Sequence, residues 1–225
     1  MKPIKVLCLV ALVVVSSSSL ASSQNVQQHE LDPIANEEHF NLLGFVVWTD
    51  TLEMVRSRLG KAEILVGEGH EPSEVCYVSS EQDDGTTVTF LAGFMGGQKT
   101  LTSFILSGTN ATRSGLTNKK AVKRQCLPSP IVSRDIGTPS GLRLGLRSSQ
   151  VKELLGEPTK VDKNVLTYVL VTRMRTTEDD IAQMAQVFPE EQIRKYPYYD
   201  VSRFIEVEIA DGQVEQVSVT MIENY

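Results

Sequence analysis

The chain has 225 residues and three histidines. Histidines are the first candidates for catalysis or metal binding, because imidazole serves both as a zinc ligand and as a general base. They are His29, His39 and His70, and the first two lie in a polar stretch near the amino end with no partner at ligand spacing. The sequence offers too few suitably spaced residues for a three-ligand metal site or a histidine-centred catalytic triad. We therefore expect no metal site, no cofactor and no catalytic residues.

Two other motifs have a chemical interpretation and a structural one. The segment 93–100 resembles a phosphate-binding loop, but Gln98 replaces the last glycine and the next residues are typical of a strand, so a glycine turn is favoured. Glu178, Asp179 and Asp180 form a carboxylate cluster, yet they begin a predicted helix over 178–187, where negative charge is stabilising. We predict that the protein is not an enzyme; a hydrolase is the least favoured of three hypotheses.

The amino end predicts export. Lys2 and Lys5 precede the apolar run 6–15, and small residues up to Ala21 fit a signal-peptidase site, so 1–21 is interpreted as a cleaved signal peptide. The run is about half of the roughly 20 residues that a transmembrane helix needs, and no cysteine follows it for a lipid anchor. We expect a soluble, periplasmic or secreted protein without an integral membrane span.

The remaining cysteines and the charge agree with that compartment. Cys8 leaves with the signal, so Cys76 and Cys126 stay, and we predict a disulfide between them; two free buried thiols are the alternative. The formal net charge of −6 becomes −8 once Lys2 and Lys5 are removed. An acidic chain lacks the main driving force for binding phosphates, so we expect neither nucleic acid nor anionic lipid as a partner.

An internal repeat predicts the elements that must carry any site. Segment 51–62 aligns with 147–158, and each copy has an apolar pair four residues apart followed by a glycine, typical of a short amphipathic helix and its end. The matched pairs are Val55 with Val151, Leu59 with Leu155, and Gly60 with Gly156.

Strand patterns follow each helix. The predicted strands are 75–78, 87–91 and 101–106 in the first copy and 165–174, 204–209 and 214–219 in the second, the last two joined by an Asp-Gly turn. The predicted fold class is α+β: two tandem units, each a short helical segment packed on a three-stranded antiparallel sheet. The predicted organisation is signal peptide 1–21, amino-terminal arm 22–44, unit one 45–107, linker 108–140, and unit two 141–225 with an insertion 176–200.

The second helix carries a family resemblance. Gly145, Val151, Leu155, Gly156 and Pro158 resemble the signature of a bacterial periplasmic superfamily that includes the small lipoprotein of the outer-membrane assembly machine and the tandem-repeat β-lactamase inhibitor protein. The match covers about 14 residues tightly. It implies a non-catalytic protein that acts by binding another protein.

Clustered tyrosines suggest where that partner binds. Tyr196, Tyr198 and Tyr199 lie in the insertion, and tyrosine supplies binding energy at interfaces for little entropy, so we predict a partner-facing patch; tyrosines packed on the protein's own sheet are the alternative. Trp48 is interpreted as a core residue. The favoured function is an exported protein-binding module, inhibitor-like or adaptor-like, and the alternative is an accessory factor of envelope assembly that contacts outer-membrane proteins through sheet edges.

Overall fold

The computed structural model describes residues 32–66, 71–93, 100–109, 111, 126–185, 189–195 and 197–224. Two 3-10 helices come first, Pro33–Ala35 and Glu37–Phe40. The α-helices are α1 (Leu52–Leu59), α2 (Ser148–Leu155), α3 (Glu178–Met184) and α4 (Glu190–Ile193). The strands are β1 (Asn41–Leu42), β2 (Phe45–Val46), β3 (Ser73–Ser79), β4 (Thr87–Ala92), β5 (Leu101–Ser107), β6 (Leu127–Ser129), β7 (Lys160–Asp162), β8 (Val165–Arg175), β9 (Tyr198–Ala210) and β10 (Gln213–Asn224).

Helix α1 begins and ends where its sequence requires. The Thr51 hydroxyl accepts the backbone N–H of Met54 at 3.3 Å, which caps the first turn. Gly60 ends the helix with φ at +119°, a conformation that residues with a side chain rarely adopt. Val55 and Leu59 are buried on one face. Such a short helix depends on this packing, because it is too short to be stable alone.

Helix α2 has the same design with a different cap. The Gln150 side chain accepts the backbone N–H of Arg147 at 2.9 Å, which satisfies one donor at the helix start. Gly156 follows the last turn with φ at +79°. Val151 and Leu155 are buried, as the sequence pattern predicts.

Eight strands form one continuous sheet in the order β6-β3-β4-β5-β10-β9-β8-β7, and β1 and β2 form a separate hairpin. All pairings within the large sheet are antiparallel except that of β6 with β3. The two halves of the chain meet where β5 pairs with β10, with Phe104 opposite Val219 and Ser103 opposite Thr220. The Ser103 hydroxyl also donates to the Val219 carbonyl at 2.7 Å.

The predicted fold class is therefore wrong. The sequence patterns predict two units, each a helix on its own three-stranded antiparallel sheet, whereas the structure has a single eight-stranded mixed sheet with a parallel edge strand. The reason is physical: the edges of β5 and β10 satisfy each other's backbone groups, which two separate small sheets would have left unpaired.

The hydrophobic core lies on one face of the large sheet. Strand residues that alternate along the sheet pack there against α1, α2, the 3-10 helices and the β1–β2 hairpin. Members of this cluster include Phe40, Leu42, Val55, Tyr77, Val88, Phe90, Phe104, Leu106, Val151, Leu155, Tyr168, Ile205, Val207, Val217 and Val219. We call this the core face and the opposite side of the sheet the outer face.

The predicted disulfide is confirmed. Cys76 in β3 is bonded to Cys126, which directly precedes β6, with 4.6 Å between the two Cα atoms and a sequence separation of 50. The bridge therefore fixes the start of β6 beside the strand with which β6 pairs. Among the described residues no helix is long and apolar enough to cross a membrane.

Candidate functional site

Exposed apolar side chains gather at the end of β8 and the start of β9. Val171, Met174 and Tyr198 are 50%, 43% and 54% exposed, and the pairing of Arg175 with Tyr198 brings these two strand ends together. The other large apolar side chains exposed in the described part of the chain are Met54, Val66, Ile131 and Val161. We call residues 171–175 of β8 with 198–200 of β9 the strand tip. Val171 and Tyr198 lie on the outer face and Met174 lies on the core face, so the strand tip presents exposed apolar side chains on both sides of the sheet.

Ion pairs between neighbouring elements fix the geometry around the strand tip. Arg173 on β8 pairs with Asp200 on β9, 2.9 Å from nitrogen to oxygen. Arg194, which directly follows α4, pairs with Glu178 of α3 at 2.9 Å and with Glu190 at 2.8 Å. Hydrogen bonding from the Arg194 guanidinium lowers the pKa of Glu178. These pairs are exposed, so they contribute little to stability; the Arg194–Glu178 pair links the end of α4 to α3.

The carboxylate cluster marks a helix start, as predicted. The Thr177 hydroxyl accepts the backbone N–H of Asp180 at 3.2 Å, and the Asp180 carboxylate accepts the backbone N–H of Thr177 at 2.7 Å. Two free donors at the first turn of α3 are thereby satisfied reciprocally.

The structure separates the predicted tyrosine patch. Tyr198 is exposed at the strand tip, whereas Tyr199 is 8% exposed and faces the core side. Burial raises the pKa of Tyr199, and the negative charges of Asp180 and Glu223 raise it further. Tyr196 lies outside the described residues. The side chains of Tyr198 and Tyr199 therefore point to opposite faces of the sheet. The prediction that Tyr196, Tyr198 and Tyr199 contact a partner stays a prediction.

A cleft of about 260 Å³ opens on the core face beside the strand tip. Its lining includes Trp48, Met174, Tyr199 and Arg203. Trp48 has φ at +71°, unusual for a residue with a bulky side chain, and its backbone N–H donates to the Leu101 carbonyl at 2.7 Å. Trp48 is thus partly buried against the core, and its side chain also forms one wall of the cleft.

Arg203 is the functional candidate that the sequence analysis missed. It lies on the core face of β9 between the buried residues Val201 and Ile205, bonded to Glu37 at 2.7 Å and 5.8 Å from the centre of the Phe40 ring. The sequence contains a signal for it, because Arg203 falls at an inward position of the alternating strand pattern, and a buried arginine requires a partner.

Of the three histidines, His39 lies within the described residues. His39 is buried, with Nε2 3.0 Å from the Pro33 carbonyl oxygen and Nδ1 2.6 Å from the Ser140 hydroxyl. Burial lowers the pKa of His39, with smaller opposing effects from the Pro33 bond and the charge of Glu38. His29 and His70 lie outside the described residues. Within those residues no group of three or more metal-ligating side chains is present.

The glycine-rich segment leads into a strand. Residues 94–99 lie outside the described part of the chain, and β5 begins at Leu101, directly after Thr100. A phosphate-binding loop would instead require a helix amino terminus at this position.

No protein-family model, curated protein or solved structure matches the chain. The resemblance to the periplasmic superfamily therefore stays a prediction.

Proposed function

We propose that the chain is an exported, non-catalytic protein-binding module of the bacterial cell envelope, inhibitor-like or adaptor-like, that holds its partner at the strand tip. The observation that carries this proposal is that Val171 and Tyr198 on the outer face and Met174 on the core face are exposed at one end of the sheet, next to a cleft lined by Trp48. Aromatic, methionine and arginine side chains are the residue types enriched in protein interfaces.

The composition of the strand tip supports a protein partner rather than a small apolar ligand. On the outer face the Arg173–Asp200 ion pair lies between Val171 and Tyr198, and Arg175 is opposite Tyr198, so the surface combines apolar and charged side chains. Protein interfaces are commonly built in this way, with most of the binding energy at a few central side chains. The disulfide supports export, because such bonds persist in oxidising compartments.

Site-specific crosslinking tests the proposal. A photoreactive phenylalanine derivative replaces Tyr198 in the exported chain of its source organism, and the captured proteins are identified by mass spectrometry. The matched control carries the same residue at Ile131, which is 43% exposed and follows β6 at the opposite edge of the sheet.

The identity of the captured protein separates the alternatives. A single enzyme or toxin captured from position 198 and not from 131 supports an inhibitor, and a single non-enzymatic partner supports an adaptor. Outer-membrane assembly components would replace the proposal with the envelope-assembly alternative. Equal capture from both positions, or none from 198, would refute a partner site at the strand tip.

A further inference from the structure

Strand β8 is longer than the neighbour on its outer side. Lys160–Asp162 in β7 pairs with residues 165–167 of β8, whereas β9 pairs with β8 all the way to Arg175. Among the described residues, β8 is therefore an edge strand of the large sheet from Val169 to Arg175. An edge of this length is a template for pairing with another extended chain.

Hydrogen bonds at both ends of this segment define which backbone groups point outward. The Val169 N–H donates to the Thr159 hydroxyl at 3.0 Å, on the side of β7, while the Thr176 N–H donates to the Pro197 carbonyl at 3.0 Å, on the side of β9. In an antiparallel pair the residues alternate between the two directions. The N–H and C=O groups of Val171 and Arg173 thus point outward, and within the described residues they have no backbone partner.

The opposite edge of the sheet is closed by contrast. Strand β6 is three residues long, contains Pro128, and is fixed by the disulfide at Cys126. Short length and proline are the usual protections of an edge strand against unwanted pairing. β8 has neither a proline nor a bulge over its open segment.

The side chains along the open edge define the chemistry of an added strand. Val169, Val171, Arg173 and Arg175 alternate onto the outer face. Arg173 is paired with Asp200, and Arg175 is exposed without an ion-pair partner among the described residues. An added strand would thus place apolar side chains beside the valines and carboxylates beside the arginines, since opposite charges across strands are stabilising.

We propose that the open edge of β8, residues 169–175, binds an extended acidic segment of the partner protein by strand addition. This inference rests on the proposed protein-binding function and names its mode of recognition. A second copy of this chain is the less suitable occupant, because antiparallel self-pairing would bring the Arg173 side chains of both copies close together on one face.

A designed peptide tests the inference on the mature chain from residue 22. In antiparallel pairing, the peptide Glu-Thr-Glu-Thr-Val-Thr-Val places its acidic residues opposite Arg175 and Arg173 and its valines opposite Val171 and Val169. The control peptide has lysine in place of both glutamates. Amide hydrogen exchange, followed by NMR, is measured with and without each peptide. We expect at least about tenfold slower exchange of the Val171 and Arg173 amides with the acidic peptide alone.

Two substitutions at one position separate backbone pairing from side-chain contact. Val171→Pro removes an outward N–H without removing a bond to β9, so the peptide affinity should fall by about tenfold or more. Val171→Ala keeps the N–H and should change the affinity less. Arg175→Glu should weaken binding of the acidic peptide and strengthen binding of the lysine peptide. Exchange at residues of β9, measured in each variant, shows that the sheet remains formed.

The outcomes distinguish this inference from the proposed function. Unchanged exchange at Val171 with the peptide, equal affinity of Val171→Pro and Val171→Ala, or protection that depends only on protein concentration would each overturn strand addition. If crosslinks from position 198 to one partner persist in Val171→Pro with unchanged partner affinity, the function stands and the edge proposal falls. If those crosslinks never form, the function itself falls.

Discussion

Tyr198 and Tyr199 are adjacent in sequence, yet β9 directs one into solvent and the other toward the core. Side chains in a strand alternate between the two faces, so clustered tyrosines cannot all form one surface patch once they lie in an extended segment. The sequence identifies tyrosine as an interface residue but does not fix the strand boundary. Since β9 begins at Tyr198, the alternation that separates the two side chains starts there.

Alanine substitutions should separate the two roles. Tyr198→Ala should reduce partner binding measured by surface plasmon resonance and leave the free energy of unfolding within about 0.5 kcal/mol of the parent. Tyr199→Ala should lower the free energy of unfolding by roughly 3 kcal/mol, because it removes a buried aromatic side chain. A large loss of stability in Tyr198→Ala would instead show that its side chain is part of the packing.

His39 makes stability depend on pH. Because burial lowers its folded pKa below the ordinary 6.5, the unfolded chain takes up the proton first as the pH falls. Its contribution is therefore fully present above about pH 6.5 and is lost as the pH falls through the folded pKa. We expect the free energy of unfolding, from urea titrations at a series of pH values, to decrease over this interval.

A His39→Gln variant is the control for this pH dependence. The variant should be less stable at neutral pH, because it disturbs the bonds to Pro33 and Ser140. The difference in unfolding free energy between the two proteins should shrink as the pH falls. A difference that is constant with pH would mean that His39 keeps its ordinary pKa in the fold.

At the scale of elements, the two glycines that end α1 and α2 have similar backbone conformations and different surroundings. A Cβ at Gly60 would lie 2.9 Å from Cδ2 of Leu127, whereas at Gly156 the nearest atom, Cγ of Pro33, is at 3.7 Å. Gly156→Ala should cost about 1 to 3 kcal/mol from backbone strain alone. Gly60→Ala should cost more, since Leu127 at the start of β6 must also move. Equal losses in chemical denaturation would contradict this.

The disulfide should be worth about 4 kcal/mol of unfolding free energy, the value that the chain-entropy model gives for its sequence separation of 50. Replacing Cys76 and Cys126 by Ser should lower the midpoint of urea unfolding accordingly. The parent protein in a strong thiol reductant serves as the matched comparison and should approach the variant. A midpoint that stays unchanged in both would show that β6 pairs with β3 without covalent help.

Local patterns predicted the individual elements better than their assembly. All six predicted strands occur, and the hairpin turn at Asp211 and Gly212 joins β9 to β10 as expected, because these features depend on neighbours in the sequence. Four strands end within about two residues of the prediction, but β9 begins at Tyr198, six residues before the predicted start and inside the predicted insertion, and β10 extends five residues further than predicted. The pairing of β5 with β10 joins residues more than 100 positions apart, such as Ser103 and Thr220. Neither strand carries a local signal that specifies the other.

The sequence patterns also did not predict the edge strand β6 or the hydrogen bond at the start of α2. β6 is only three residues long and contains a proline, so nothing in its composition predicts a strand, and it is its position beside β3 that allows pairing. At α2 the helix begins at Ser148, and the Gln150 side chain accepts the backbone N–H of Arg147 at its start. The hydrogen-bond partners of the β6 backbone come from β3, which the fold places beside it.

For the whole molecule, the pairing of β5 with β10 predicts a single unfolding transition. Because the halves share a sheet and a core, neither can lose its strands without exposing backbone and apolar groups of the other. Fluorescence of Trp48, the single tryptophan, reports on the first half. Hydrogen exchange of amides in β8 and β9 reports on the second. The two probes should give coincident urea transitions; transitions that separate would show two independently folding halves.

The two edges of the sheet are unequal, and this asymmetry limits how large an assembly can grow. A strand that adds to β8 meets an open template, but the next molecule finds only β6, which its proline and its disulfide-bonded start make a poor acceptor. Head-to-tail polymerisation would pair β8 of one molecule with β6 of the next, so it is disfavoured from its first contact. With strand addition as proposed above, each copy would bind one ligand strand at β8, and the unequal edges would disfavour fibrils.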